Sequence, residues 1–284
     1  MTATPPVRRR LLGSALREYR EGVGYNLDEA ARVLECDRSK ISRIETGQRG
    51  IRAKELRELL TEYGVAASEQ EALLAIAHRG RENGWWLDYR DVLSAAGQDY
   101  VIMEIAATEI LAYEPNRVPD LLQTPQYARA LADADPNCTS DEQRAHAVEV
   151  TLARQRIVLG DRDPAAEFVV TEGALRQAVG GPAVMRAQLD LLAGLGRTHP
   201  RASLRVLPFA AGAHAAAGSG PMTILRFAQT PAIGIIHLAG LSGGVSLEGR
   251  DDIARHLRAY TGLRAAALSV SASARLLRSL AKEN

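Results

Sequence analysis

The sequence is poor in cysteine and contains no long apolar run. Only two of its 284 residues are cysteines, Cys36 and Cys138, and neither has a second cysteine at C-x-x-C spacing. This excludes a disulfide framework and a cysteine-bound zinc site. No stretch approaches the roughly 20 uninterrupted apolar residues of a membrane-spanning helix, and charged residues interrupt the segment after the basic residues 8–10, where an export signal would need an apolar core. We therefore expect a soluble, cytoplasmic protein without a membrane partner.

A strong net charge is also absent, because 35 basic residues balance 34 acidic ones. The chain as a whole therefore does not indicate a nucleic-acid partner. The distribution is uneven, however, since residues 38–57 contain seven basic and two acidic side chains. Such a cluster is usually a solvated surface, so its position within a motif decides what it means.

Length and composition indicate two globular domains. Apolar residues make up 46% of the chain and charged residues 24%, which is close to the average for globular proteins. A chain of 284 residues exceeds the usual size of one domain. The glycines at 80 and 84, followed by two tryptophans, mark a boundary. We predict a first domain over residues 1–80 and a second over residues 81–284.

The first domain is predicted to be helical throughout. Apolar residues at helical spacing predict a helix over residues 8–21. Asn26 and Glu29 have the spacing of a capping box ahead of a second, short helix. Asp37 is expected to cap a third helix, whose isoleucines face inward. Further helices are predicted over residues 52–62 and 67–78.

Two short helices joined by a tight turn, the second with outward polar side chains, form a helix-turn-helix arrangement. Residues 37–49 read D-R-S-K-I-S-R-I-E-T-G-Q-R. This string resembles the recognition helix and exit turn of the Cro and phage-repressor type, also called XRE-like. The resemblance implies a five-helix, lambda-repressor-like fold for residues 1–80 and double-stranded DNA as the partner. The alternative is a protein-interaction domain that has kept this fold.

The resemblance also implies roles for individual residues, because the family places the start of this helix in the major groove. Arginine can bind guanine through two parallel hydrogen bonds, whereas serine is less selective. The base readers are predicted to be Arg38, Ser39 and Arg43. The phosphate contacts, which position the domain without specifying sequence, are predicted to be Lys40, Gln48, Arg49 and Arg52. The basic residues 8–10 are either a further phosphate-binding arm or a solvated surface.

Glu45 is an acidic residue inside the basic stretch, and it would repel DNA if it faced the duplex. The resemblance implies an internal ion pair between Glu45 and Arg20. Both residues are therefore predicted to be structural, and removing either partner would leave a poorly solvated charge.

The rest of the chain predicts an α+β domain, so that the protein is mainly α with a C-terminal α+β domain. A helical pattern runs from Asp99 to Ile110, and Pro115 and Pro119 follow it. Further helices are predicted over residues 140–159, 180–196, 249–261 and 271–281, and strands over residues 168–170, 204–207, 222–227 and 233–238.

Several strings in this second domain resemble one family. They include L-L-Q-T-P-Q-Y-A-R-A-L at 121–131, T-E-G-A-L-R at 171–176 and V-L-P-F-A-A-G-A-H at 206–214. They are similar to the domain of unknown function that follows the helix-turn-helix in WhiJ-like actinobacterial regulators. The resemblance implies an antitoxin-like protein with a small acidic partner encoded nearby. The chain departs from this pattern at Asp120, where the family usually has glycine, and at residues 236–239, which lack the usual Tyr-x-Glu and so put a site built on that glutamate in doubt.

A hydrolase is the main enzyme reading to weigh. Residues 240–244 match G-x-S-x-G around Ser242, and an aspartate and a histidine follow in hydrolase order. A nucleophile serine needs a helix directly after it, but residues 245–247 read as extended, and Asp252 and His256 lie four apart on one predicted helix. A glycine-rich hairpin turn fits better. The histidines lack metal-ligand spacing and no phosphate loop is present, so we expect no enzyme activity, no cofactor and no bound metal.

These observations predict a sequence-specific transcriptional regulator. Two recognition helices about 34–36 Å apart match one turn of duplex, so we expect a homodimer on an inverted repeat. The second domain is expected to sense a small molecule or to bind a small partner protein, and the sequence leaves this choice open. The alternative function is an antitoxin-like interaction module that sequesters a small acidic partner.

Overall fold

The structure of the chain, a computed structural model, describes residues 5–79, 84–227, 234–241 and 243–284. The predicted domain boundary at residue 80, Ile233 at the start of a predicted strand, and Ser242 of the G-x-S-x-G string lie outside the described residues.

The N-terminal region is helical, as predicted. Within residues 5–79 the helices are α1 (Val7–Gly22), α2 (Leu27–Val33), α3 (Arg38–Glu45), α4 (Ala53–Glu62) and α5 (Ala67–Arg79). The capping box before α2 is confirmed: Asn26 accepts hydrogen bonds from the backbone of Asp28 and Glu29, and the Glu29 carboxylate accepts one from Asn26 N. The prediction for Asp37 was wrong in part, because Asp37 occupies the N-cap position of α3 but its side chain makes no capping hydrogen bond.

Helix α3 is held by a buried apolar face and by a close backbone crossing. Ile41 and Ile44 are 1% and 2% exposed and belong to the same core as the leucines of α1 and α4. At the crossing with α1, a Cβ atom added to Gly13 would lie 2.4 Å from the carbonyl oxygen of Ile44. Glycine is therefore required at this point, because any side chain would force the two helices apart.

The C-terminal domain is an α+β domain, as predicted. Its helices are a 3₁₀ turn at Trp85–Tyr89, α6 (Ala95–Ala106), α7 (Pro125–Ala134), α8 (Asp141–Gln155), α9 (Glu172–Arg176), α10 (Pro182–Thr198), α11 (Arg250–Ala266) and α12 (Val270–Glu283). A π-helical turn at Arg156–Arg162 continues α8, and short 3₁₀ turns lie at Asp120–Leu122 and Phe209–Ala211. Its strands are β1 (Glu109–Glu114), β2 (Ala165–Thr171), β3 (Ala202–Leu207), β4 (Met222–Arg226), β5 (Gly234–Leu238) and β6 (Val245–Leu247).

The strands form one mixed sheet among the described residues, in the order β3-β2-β1-β4-β5-β6. Strands β1, β2 and β3 run parallel, and β4, β5 and β6 continue the sheet antiparallel. The predicted helix from Asp99 to Ile110 was therefore too long, because Glu109–Glu114 is a central strand. Ile110, Ala112 and Tyr113 are all buried, and a strand covered on both faces lacks the alternation that distinguishes it from a helix.

The two faces of the sheet are covered differently. Tyr113, Val169 and Ile224 form one apolar cluster with Tyr260 and Leu263 of α11. The opposite face belongs to a larger cluster that includes α6, α10 and α12 and continues into the core of the N-terminal helices. The helix-turn-helix region is therefore packed against the C-terminal domain through α6. Within the part of the chain that the structure describes, no helix is long and apolar enough to cross a membrane.

Candidate nucleic-acid interface

Helix α3 presents a polar face opposite its buried isoleucines. Arg38, Ser39 and Arg43 are exposed, and Ser42 lies between them on the same side of the helix. The Arg38 guanidinium lies 3.7 Å from the Asp28 carboxylate, and its side chain is 64% exposed. An ion pair this exposed contributes little to stability, so Arg38 can leave Asp28 and bind another group.

The turn after α3 carries the predicted phosphate contacts. Gly47 has a φ of +71°, a conformation that glycine adopts without strain, and Arg49 N donates a 2.9 Å hydrogen bond to Arg43 O. Gln48, Arg49 and Arg52 are exposed beyond this turn. They lie at the C-terminal end of α3 and ahead of α4, so they form a basic border beside the polar face.

Lys40 differs from the other predicted phosphate contacts. Its Nζ lies 2.6 Å from Oε1 of Glu55, and both side chains are about four-fifths buried. Glu55 also accepts a 3.1 Å hydrogen bond from Arg52 N at the start of α4. Lys40 therefore already has a charge partner, and it ties α3 to α4.

Arg20 and Glu45 lie together in the interior of the helical region. Arg20 Nε is 2.7 Å from Glu45 Oε1, Nη2 is 3.0 Å from Oε2, and Nη1 donates to Tyr25 O at 2.6 Å. Arg20 is 7% exposed, and the hydrogen bond to Glu45 raises its pKa above the ordinary value. Glu45 thus points into the domain from the last turn of α3, away from the face that carries Arg43.

One feature of this region was missed by the sequence interpretation. The basic residues 8–10 form the first turn of α1, and Arg10 is bound to Glu248 of the C-terminal domain. Nothing in the local pattern links residues 238 positions apart.

A second polar assembly lies inside the C-terminal domain, around Arg154 of α8. Its Nε and Nη2 donate to the two carboxylate oxygens of Glu104 at 2.8 Å each, and Nη1 donates to Asp120 at 3.0 Å. Tyr100 donates a 2.9 Å hydrogen bond to Glu104, which is 1% exposed. Asp120, noted in the sequence as a departure from the family, is here a charge partner of Arg154. The feature of the sequence that could have indicated this buried assembly is Glu104, a glutamate within the apolar run V-I-M-E-I-A of α6.

A small cavity adjoins this assembly, with Glu114 on its wall. Its volume is about 30 Å³, enough for one or two water molecules and far below the 300–1,000 Å³ range of organic ligand sites. Glu114 is 9% exposed, and its Oε2 has no hydrogen-bond partner among the described residues. Burial raises the pKa of Glu114 from its ordinary value of 4.5 to about 7.

An open groove of about 540 Å³ lies between α8 and α10. Leu191 on its wall is 41% exposed. Arg156, Arg197 and His199 also line it, together with Asp190. This groove combines exposed apolar surface with basic side chains.

Of the residues weighed for hydrolase chemistry, the structure describes Asp252 and His256, which lie one turn apart on α11. Residues after Gly244 form strand β6, and His256 Nδ1 contacts the backbone oxygen of Asp252 at 2.7 Å within α11. His237 packs on Tyr100, with ring centroids 4.1 Å apart. Among the residues that the structure describes, no group of three histidine, cysteine or acidic side chains could hold a metal ion.

Two family models match separate parts of the chain. Residues 98–279 match the family model of a domain of unknown function, DUF5753, and residues 11–73 match the model of a helix-turn-helix domain. Neither a search of curated proteins nor a search of solved structures gave a match. A helix-turn-helix domain of this kind indicates a DNA-binding regulator.

Proposed function

Since the chain belongs to the DUF5753 family and carries a helix-turn-helix domain, we propose that it is a sequence-specific, DNA-binding transcriptional regulator. The observation that carries the proposal is the polar face of α3, where Arg38, Ser39 and Arg43 are exposed while Ile41 and Ile44 hold the helix in the core. The proposed division into domains is 1–80 and 81–284, and the proposed location is the cytoplasm.

The proposed base readers are Arg38, Ser39 and Arg43. A bidentate pair between an arginine and guanine discriminates by about 1–3 kcal/mol. Gln48, Arg49 and Arg52 are the proposed phosphate contacts, which would anchor the end of α3 to the backbone. Lys40 is expected to contribute less, because a phosphate would have to displace Glu55 from it. The proposed role of Arg20 and Glu45 is structural.

A homodimer on an inverted repeat is part of this proposal. Helix α3 has eight residues, so it spans about 12 Å, which corresponds to roughly three or four base pairs. So short a contact specifies few positions. A second copy, with its recognition helix one turn of duplex away, would double the site.

The C-terminal domain is proposed to receive the regulatory signal, either from a small molecule or from a small partner protein. The buried cavity beside Glu114 is too small for an organic effector. The groove between α8 and α10 is large enough for either kind of ligand.

The groove also favours a second candidate function, an antitoxin-like module of the WhiJ-like type that sequesters a small acidic protein. Exposed Leu191 supplies apolar surface, and Arg156, Arg197 and His199 supply basic groups around it. An acidic partner with an apolar centre would complement this surface. In this second function, the helix-turn-helix domain would bring the complex of the two proteins to DNA.

The deciding experiment measures binding of the purified protein to DNA from upstream of its own gene, across a salt series. Arg38→Ala and Arg43→Ala are compared with wild type and with Arg278→Ala, which removes an exposed arginine from α12. We expect wild type and the α12 control to bind one site tightly, and the two α3 variants to lose discrimination between that site and random duplex. Equal, weak and purely salt-dependent binding by all four would refute sequence-specific reading and favour the second function.

A further inference from the structure

The C-terminal domain binds the first turn of α1 through Arg10. Arg10 Nε donates to Oε1 of Glu248, which lies between β6 and α11, and Nη2 lies 3.2 Å from Oε2 of the same carboxylate. Nη2 also lies 3.3 Å from Ser246 O, and Nη1 donates to Pro5 O at 2.8 Å. Both side chains of the ion pair are about four-fifths buried. Each nitrogen of the guanidinium is therefore engaged, two of them with the C-terminal domain.

Arg10 lies directly beside the turn that carries the proposed phosphate contacts. A Cβ atom added to Gly47 would lie 3.0 Å from Arg10 N, so the backbone of α1 packs against the turn that leaves α3. One turn further, a Cβ atom added to Gly50 would lie 3.7 Å from Nε of Arg9. Arg9 and Arg10 thus border the same surface as Gln48 and Arg49.

We infer that Arg10 is a further DNA phosphate ligand and that, in the free protein, its ion pair with Glu248 keeps it from binding a phosphate. A guanidinium binds a carboxylate and a phosphate through the same fork of N–H groups, so the two anions compete for one site. While Glu248 is paired with Arg10, the two charges cancel and the pair does not attract the duplex. This inference rests on the proposed function, and it adds a site and an internal competitor for it.

The surroundings of Arg10 strengthen this competition. Asp99 of α6 accepts a 3.1 Å hydrogen bond from Val7 N at the start of α1, so a second carboxylate of the C-terminal domain lies at the same end of α1 as Arg10. The contact at Glu18 has the opposite polarity, because there the C-terminal domain supplies the cation, Arg250. Of these two ion pairs between the domains, the Arg10 pair is the one in which a protein carboxylate competes with a DNA phosphate for an arginine of the N-terminal helices.

The test uses the full-length protein and fluorescence anisotropy with two labelled duplexes, the upstream DNA and a random duplex of equal length. Glu248→Gln removes the charge of the competitor and keeps its size. We expect it to bind both duplexes about two- to fivefold more tightly, with a salt slope steeper by about 0.9, the value for one more phosphate contact. The gain should appear on both duplexes, because a phosphate contact reads no sequence.

Two further variants assign the gain to Arg10. Arg10→Gln should weaken binding more in the Glu248→Gln background than in wild type, since only there is Arg10 free to meet a phosphate. Arg250→Gln breaks the contact with Glu18 without releasing Arg10 and should leave the salt slope unchanged.

The outcomes separate the inference from the proposed function. Wild type that binds its site while Glu248→Gln gives no gain overturns the inference alone. An equal gain from Arg250→Gln overturns it as well, because general loosening of the domain contact would then explain the effect. Absence of DNA binding by every variant and by wild type overturns both.

Discussion

Replacing Glu114 by glutamine should change how stability depends on pH. Glu114 is buried at the end of β1, and its Oε2 has no partner among the described residues. Burial raises its pKa from 4.5 to about 7, against the opposing effect of Arg117. Glutamine has nearly the same shape and is neutral at every pH, so Glu114→Gln removes the titration and little else.

The size of the effect follows from the two pKa values. An unfolded chain releases the Glu114 proton near pH 4.5, whereas the folded protein holds it to about pH 7. Stability from the protonated carboxyl is therefore fully present below pH 4.5 and is lost as pH rises to about 7. The gap is worth ~3.4 kcal/mol. As pH rises across this window, the free energy of unfolding of Glu114→Gln should therefore increase by about 3 kcal/mol relative to that of wild type.

His237 produces the opposite slope in wild type. Burial, together with Arg154, lowers the pKa of His237 from 6.5 to about 4. Its contribution to stability is present above pH 6.5 and is lost as pH falls to about 4. The two slopes oppose each other between pH 4.5 and 6.5, so wild type should be nearly flat there and Glu114→Gln should become more stable with rising pH.

The neighbouring charges stay constant across this window. Arg117 and Arg154 remain protonated across this window. Asp120 raises the pKa of Arg117, and although burial acts to lower the pKa of Arg154, its acidic partners raise that pKa well above the ordinary value. Burial acts to raise the pKa of Asp120, but the two arginines hold it below its ordinary value. The measurement is urea unfolding of both proteins from pH 4.5 to 7.5, followed by far-ultraviolet circular dichroism. A difference that stays constant within about 0.5 kcal/mol would refute the reasoning, because Glu114 would then ionise equally in both states.

Two further predictions concern the helical region. Glu45→Ala should lower the free energy of unfolding by about 3 kcal/mol, measured by urea unfolding. This value is at the low end for a broken buried ion pair, because Arg20 keeps its 2.6 Å hydrogen bond to Tyr25 O. A loss of DNA affinity with unchanged stability in urea would show instead that Glu45 acts at the DNA. Gly13→Ala should destabilise by about 1–3 kcal/mol, because the added methyl group would lie 2.4 Å from Ile44 O. Gly22→Ala is its matched control at the end of the same helix, where a Cβ meets nothing within 4 Å, and thermal unfolding should find it neutral or slightly stabilised. Equal effects of the two glycine substitutions would contradict the crossing geometry.

Local patterns were enough to predict the helix-turn-helix region. Apolar spacing and the capping box of Asn26 act within one or two turns of chain, because helical hydrogen bonds join residues four apart. The positions of α1 to α5 and the inward face of α3 could therefore be predicted from neighbouring residues. The same holds for α10, α11 and α12, whose amphipathic patterns are long.

The central strand β1 could not be predicted in this way. Its apolar residues continue the helical spacing of α6, and a strand buried on both faces has no alternation of its own. What makes Glu109–Glu114 a strand is pairing with β2 and β4, which lie far along the chain. The hydrogen-bond partners that decide between strand and helix were outside any local window.

The sequence by itself determined that Arg38, Ser39 and Arg43 share one side of a short helix, the side that we propose faces DNA. Only the tertiary structure decided which charges are free to act. It paired Lys40 with Glu55, buried Arg154 between Glu104 and Asp120, and joined Arg10 to Glu248 across 238 positions. The reason is physical: the periodicity of a helix depends on near neighbours, whereas the availability of a charge depends on whatever the folded chain brings within a few ångströms of it.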